Sequence, residues 1–95
     1  MNKITAKRMK NEQLLLEEKL NKCELKIKDW LSDEYDIEFI NELVIINKET
    51  GEFINSIKEG ETIRLKRAFD WVQVFNTTYK NYRKHISDMD KLGIL

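Results

Sequence analysis

The chain has 95 residues, which allows one domain, spanning residues 1–95, with one modest hydrophobic core. Hydrophobic residues make up 41% of it and charged residues 36%, so it can fold but must present much charged surface. A single cysteine excludes an intramolecular disulfide, and neither a signal-peptide pattern nor a membrane-length apolar run is present. These features predict a cytoplasmic protein.

The net charge of zero hides an uneven distribution of charge along the chain. Residues 1–28 carry a net charge of +4, residues 29–62 carry −8 and residues 63–95 carry +4. Any partner therefore meets local fields of opposite sign. The middle of the chain is predicted to form an acidic surface between two basic ends.

Residues 5–32 have the pattern of one long amphipathic helix. Hydrophobic residues recur at the a and d positions of a coiled-coil heptad, and they form the stripe Met9, Leu16, Leu20, Cys23, Ile27 and Trp30. A helix of 28 residues is about 42 Å long, whereas a compact globule of this size is only about 30 Å across. The stripe is therefore predicted to form a homodimer or to dock on a partner. Strict alternation over residues 22–28 leaves a β-strand as the alternative there.

Residues 35–66 are predicted to form a small antiparallel β-meander. Tyr35, Ile37 and Phe39 alternate with acidic residues, and residues 39–46 are rich in β-branched and aromatic residues. A turn ending at Gly51 follows them. A second strand is expected at 53–57, a second turn at 58–61 and a third short strand at 62–65.

Residues 68–93 are predicted to form a helical pair. Aromatic and aliphatic residues recur every three or four positions, and they comprise Phe69, Val72, Phe75, Tyr79, Tyr82 and Ile86. The segment from Ser87 to Asp90 resembles a capping box that opens a short terminal helix, and Gly93 can end it. The predicted fold class is α+β, with a long N-terminal helix, a β-meander, a C-terminal helix and a short terminal helix.

The sequence offers no set of residues suited to catalysis. His85 is the only histidine and Cys23 the only cysteine, so a catalytic triad or a zinc site lacks partners. The three glycines are widely separated, which excludes a glycine-rich phosphate loop. We therefore expect no enzyme activity, no metal site and no cofactor.

Two charged surfaces are candidates for binding a macromolecule. The acidic candidate comprises Asp33, Glu34, Asp36, Glu38 and Glu42. These carboxylates could imitate a phosphate backbone and occupy a basic groove on a partner, or they could simply be solvated. Their spacing does not match an EF-hand calcium loop.

The basic candidate surrounds the C-terminal helix and includes Tyr79 and Tyr82. It comprises Arg64, Lys66, Arg67, Lys80, Arg83 and Lys84. Cationic side chains neutralise phosphates while tyrosines can stack on bases, so nucleic-acid contact is one interpretation of this set. A solvated helix face is the other.

The stretch INKETGEFINSIKEGETIRLKR and the residues after it resemble segments of replication and regulatory proteins from Firmicute plasmids and phages. The resemblance covers residues 45–95 and includes the ETGE hairpin turn. It implies a β-hairpin before a winged-helix module, DNA binding and an origin on a mobile element. The chain ends where the first helices of such a module would finish, so a complete recognition helix and wing are missing.

Together these patterns favour a non-enzymatic regulator of the phage or plasmid type. It would bind a host protein or nucleoprotein complex and modulate or inhibit it, and an anti-defence inhibitor is one form of this hypothesis. A nucleic-acid-binding regulator of replication or transcription is the alternative. A structural assembly factor built on the first helix is a third possibility.

Overall fold

The computed structural model describes residues 3–95, so Met1 and Asn2 of the predicted domain lie outside the described residues. The elements follow the order α1 (Lys3–Trp30), β1 (Tyr35–Phe39), β2 (Leu43–Asn47), β3 (Phe53–Ile54) and α2 (Ile63–Lys91). The predicted α+β class is confirmed.

Helix α1 is continuous over 28 residues. Its sequence contains neither Gly nor Pro, and Lys28 in the last turn complements the negative end of the helix dipole. The prediction of a helix through residues 22–28 is therefore confirmed, and the strand alternative is wrong. Leu20, Cys23 and Ile27 form its buried side.

The three strands form an antiparallel sheet in the order β1-β2-β3. A turn at residues 40–42, closed by the Ile40 N–H on the Glu42 carbonyl at 3.1 Å, divides the predicted first strand into β1 and β2. The turn before β3 has the expected glycine, because Gly51 adopts a φ of 74°. The side chain of Asn47 accepts the Glu49 and Thr50 amides within that turn.

Helix α2 differs from the predicted helical pair because it is one helix of 29 residues. Thr62 caps its N-terminus, where its hydroxyl accepts the Leu65 amide at 3.2 Å, so the strand predicted at 62–65 is wrong. The segment from Ser87 to Asp90 lies inside the helix and opens no new one. Gly93 follows the end of α2 with a φ of 71°, which agrees with the prediction that this glycine ends the helix.

The two long helices lie antiparallel, with the sheet covering only one half of their length. The core combines Ile27 of α1, two residues of β2 and three of α2, listed in full as Ile27, Leu43, Ile45, Leu65, Ala68 and Val72. We call this half the body. The other half, which we call the stalk, consists of residues 3–17 and 80–91 and has no strand beside it. The molecule measures 54 × 20 × 20 Å.

Strand β1 is an edge strand with a blocked backbone donor. In an antiparallel ladder, hydrogen-bonded residue pairs alternate with pairs that are not hydrogen-bonded. Glu34 and Lys48 form a hydrogen-bonded pair, because the Lys48 amide donates to the Glu34 carbonyl at 2.9 Å. By that alternation Ile37, which lies opposite Ile45, turns its N–H away from β2. The Asp36 carboxylate accepts that N–H at 2.8 Å.

Candidate interaction surfaces

The stripe on α1 is covered within the chain by α2. Leu20, Cys23 and Ile27 are buried, and Met9, Leu16 and Trp30 are half-buried. Leu20, Cys23 and Ile27 are therefore not exposed for docking, because α2 is as long as α1 and lies along it. Docking or dimerisation through the rest of the stripe stays a prediction. The predicted helical pair is shorter than the single helix α2 and therefore implied less cover of α1.

His85 and Cys23 both contribute to the contact between the helices. The Nε2 atom of His85 lies 2.6 Å from the Met9 carbonyl oxygen, and since a carbonyl can only accept, Nε2 carries the proton. Burial raises the pKa of the Cys23 thiol, although Lys19 and Lys22 oppose that shift. Within residues 3–95, no three His, Cys, Asp or Glu side chains converge as ligands for a metal ion.

The five residues of the predicted acidic surface lie together along the edge of the sheet. Asp33 and Glu34 occupy the turn before β1, Asp36 and Glu38 lie on β1, and Glu42 lies in the turn after it. All five side chains are exposed. Because Ile37 and Ile45 face the core, the alternation of the strand turns Asp36 and Glu38 to the outer face.

Charge is separated between the two layers of the fold. The strand layer, residues 33–62, carries nine carboxylates and two lysines, a net charge of −7. The two helices and the chain ends carry the balancing +7. Among residues 3–95 the one ion pair joins Lys28 and Glu24, both on α1. Within that described range the carboxylates of the strand layer are therefore left without an ion-pair partner.

The six predicted nucleic-acid contacts do not form one surface. The first three begin α2 and the last three lie near its other end, so Lys66 and Lys80 are separated by about 21 Å along the helix. Arg64 has a structural contact, because its Nη2 donates to the Asp29 carbonyl at 2.7 Å and its guanidinium lies 5.9 Å from the Trp30 ring centre. It satisfies a carbonyl in the last turn of α1.

The two tyrosines of the predicted basic surface also have partners within the chain. Tyr79 contacts the Phe39 ring edge-to-face at 4.9 Å between centroids and stacks on Phe75 at 6.3 Å. The Tyr82 hydroxyl donates to Glu17 Oε1 at 2.9 Å. This hydrogen bond, together with burial, raises the pKa of Tyr82. Both rings border the body and the stalk, where they are half-buried.

Comparison with family models, with curated proteins and with solved structures finds no match for this chain. The resemblance to plasmid and phage replication regulators therefore stays a prediction. No helix in residues 3–95 is both long enough and apolar enough to span a bilayer.

Asn76 is the residue of structural importance that the sequence analysis missed. Its amide oxygen accepts the Leu43 N–H at 2.8 Å and its amide nitrogen donates to the Leu43 carbonyl at 2.9 Å. Strand β3 pairs only with Ile45 and Ile46, so the Asn76 side chain bonds the part of β2 that β3 does not reach. A polar residue between the apolar positions Phe75 and Tyr79 was the available signal.

Proposed function

We propose that this protein is a non-enzymatic regulator that binds a basic surface of a protein or nucleoprotein partner through its acidic strand layer. The separation of charge between the two layers carries this proposal. Eight of the nine carboxylates in the strand layer are exposed, and a basic groove would supply the ion-pair partners that they lack among residues 3–95. Complementary potentials of this kind speed association and select the partner.

The connecting turns are the part of this layer best placed for contact. Glu49, Glu52 and Glu59 are exposed and lie in turns outside the strands. Removing their charge leaves the core untouched, because none of the three belongs to it. A triple variant of Glu49, Glu52 and Glu59 to Gln therefore tests the charge alone.

The test is affinity capture from a nuclease-treated cell lysate with the wild-type chain, the triple variant and a matched control. The control carries Glu12→Gln and Glu18→Gln on the exposed side of α1, together with Glu24→Gln, so the same charge is removed from the helical layer. A basic partner should be retained by wild type and control, lost by the triple variant and released by salt. Equal capture by all three chains would contradict the proposal.

Nucleic-acid binding is the second candidate, supported by a set of lysines on α2. At about 100° per residue, Lys66 and Lys84 point in the same direction and Lys80 lies about 40° away. All three are exposed. Lysines near the two ends of α2 would contact separate phosphates of one duplex without reading its sequence.

A gel-shift assay with a duplex DNA probe separates this candidate from the first. If the protein binds nucleic acid, the wild type retards the probe, and its affinity for DNA falls steeply between about 50 and 200 mM salt. Lys66→Glu with Lys84→Glu should abolish the shift, whereas the triple Gln variant should preserve it. Absence of any shift by wild type at the low salt would eliminate the candidate.

A further inference from the structure

The sheet ends part-way along the helices and leaves a step in the molecule. Its last contact with α2 is the Phe39 ring on Tyr79. From residue 80 to residue 91, a length of about 18 Å, α2 has α1 on one side and no strand above it. The side of α2 that the sheet covers in the body is thus open in the stalk.

The open side of the stalk is mainly apolar, and it is bordered by the basic side chains of Lys80 and Arg83 and by the acidic side chains of Glu42 and Asp90. Two shallow depressions of about 410 Å³ each lie along it. One is lined in part by Ile40, Tyr79 and Lys80, and the other in part by Tyr82, Arg83 and Ile86. We call these six residues the step face.

The outer side of the sheet has the complementary character. The register places Asp36 and Phe53 opposite Ile46, and Glu38 opposite Val44. These five residues form what we call the outer sheet face, with an apolar centre and an acidic border. Phe53, which lies on the edge strand β3, is 47% exposed. A five-residue strand is about 17 Å long, which matches the length of the step.

The chain exposes more surface than a compact monomer of its size. Its accessible surface is 7078 Å², whereas the scaling for monomeric proteins gives about 5,800 Å². The radius of gyration is 16.5 Å against about 12 Å expected for a compact domain. The excess of roughly 1,300 Å² is more than the roughly 800 Å² that each partner buries in a standard interface.

We infer that two copies of this chain interlock about a two-fold axis, with the outer sheet face of each on the step face of the other. A single antiparallel placement makes both contacts at once, because each chain carries both faces. Asp36 and Glu38 of one copy then meet Lys80 and Arg83 of the other. Such an isologous contact closes on itself and yields a dimer rather than a filament.

This dimer goes beyond the proposed regulatory function, and it leaves most of the acidic strand layer exposed for the basic partner. The remaining seven carboxylates of the strand layer lie in the connecting segments outside the outer sheet face. A basic partner can therefore bind the dimer, and each inference can fail without the other.

Sedimentation of the pure protein over a hundred-fold range of concentration tests the dimer. Wild type should sediment at twice the mass of the chain. The double variant Asp36→Lys with Glu38→Lys should have a dimer dissociation constant at least tenfold higher than that of wild type. The double variant Lys80→Glu with Arg83→Glu should show the same increase, because each double variant brings like charges together. An equimolar mixture of these two variants should restore the dimer, since both contacts are complementary again.

Matched controls change equal charge outside the two faces. Glu12→Lys with Glu18→Lys, and Lys66→Glu with Arg67→Glu, should leave the dimer intact. Phe53→Ser, which alters no charge, should weaken it, and circular dichroism checks that each variant is folded. A monomeric wild type would overturn the inference, as would a dimer that both charge-reversed pairs leave unaffected. A mixture that fails to associate while its folded components are monomeric would overturn it as well.

Discussion

The body and the stalk use the same two helices but are held together by different interactions. In the body, α1, α2 and β2 contribute buried aliphatic residues to a common core. In the stalk, the two helices pack directly on each other with Met89 fully buried. Hydrogen bonds from the side chains of Tyr82 and His85 link them. A helix pair without a third layer buries little apolar surface, so polar contacts there make a larger share of the stability.

The body should respond most strongly to removal of a core side chain. Ile27→Ala deletes a fully buried side chain at the junction of helix and sheet, and it should lower the free energy of unfolding by about 3 kcal/mol. Leu25→Ala, two positions away but 65% exposed, is the control and should change it by less than about 0.5 kcal/mol. Urea denaturation compares the two, and similar losses would refute the described orientation of α1.

A polar residue of the body should have the next largest effect. Asn76→Ala removes both hydrogen bonds to Leu43 and leaves its N–H and C=O without a partner in the chain. We expect a loss of about 2 kcal/mol in the free energy of unfolding. Asn81→Ala on the exposed side of the same helix serves as the control and should be nearly neutral. If Asn76→Ala were equally neutral, the hydrogen bonds between Asn76 and Leu43 would contribute nothing to the free energy of unfolding.

The smallest of the three effects belongs to the stalk. Tyr82→Phe removes the hydroxyl that donates to Glu17 and should cost about 1 kcal/mol at neutral pH. The pKa of Tyr82 is raised above its ordinary value of 10.0, first by that hydrogen bond and then by burial. The hydroxyl's contribution is therefore complete below that ordinary value and disappears as pH rises through the raised pKa.

Denaturation at a series of alkaline pH values measures this dependence. The difference in stability between wild type and Tyr82→Phe should shrink as Tyr82 ionises in the folded protein. A difference that stays constant through this range would show that the hydroxyl does not act through Glu17.

Local patterns predicted much of the body but little of how the halves meet. Alternation at Tyr35, Ile37 and Phe39 and the glycine at 51 indicated the strand and turn that the structure contains. The turn after β1 was missed because Ile40 is apolar and neither Gly nor Pro marks the reversal. Ser87 and Asp90 imitated a cap within α2, since cap residues are also tolerated on an exposed helix surface.

The candidate surfaces were predictable in part for a similar reason. The residues of the predicted acidic surface are close in sequence, and they also lie together in the structure. The cover of the α1 stripe by α2 depends on contacts between residues far apart in sequence, such as Glu17 and Tyr82, which periodicity cannot reveal. The same applies to Asn76, whose partner Leu43 lies 33 positions earlier.

The carboxylate of Asp36 on the Ile37 amide has a consequence for behaviour at high concentration. Fibril growth requires each incoming strand to find free amide donors along an exposed edge. Here the donor at the centre of β1 is already satisfied, and the neighbouring acidic side chains repel a like strand. The protein should therefore resist amyloid formation at this edge, and replacing Asp36 by an apolar residue would remove that protection.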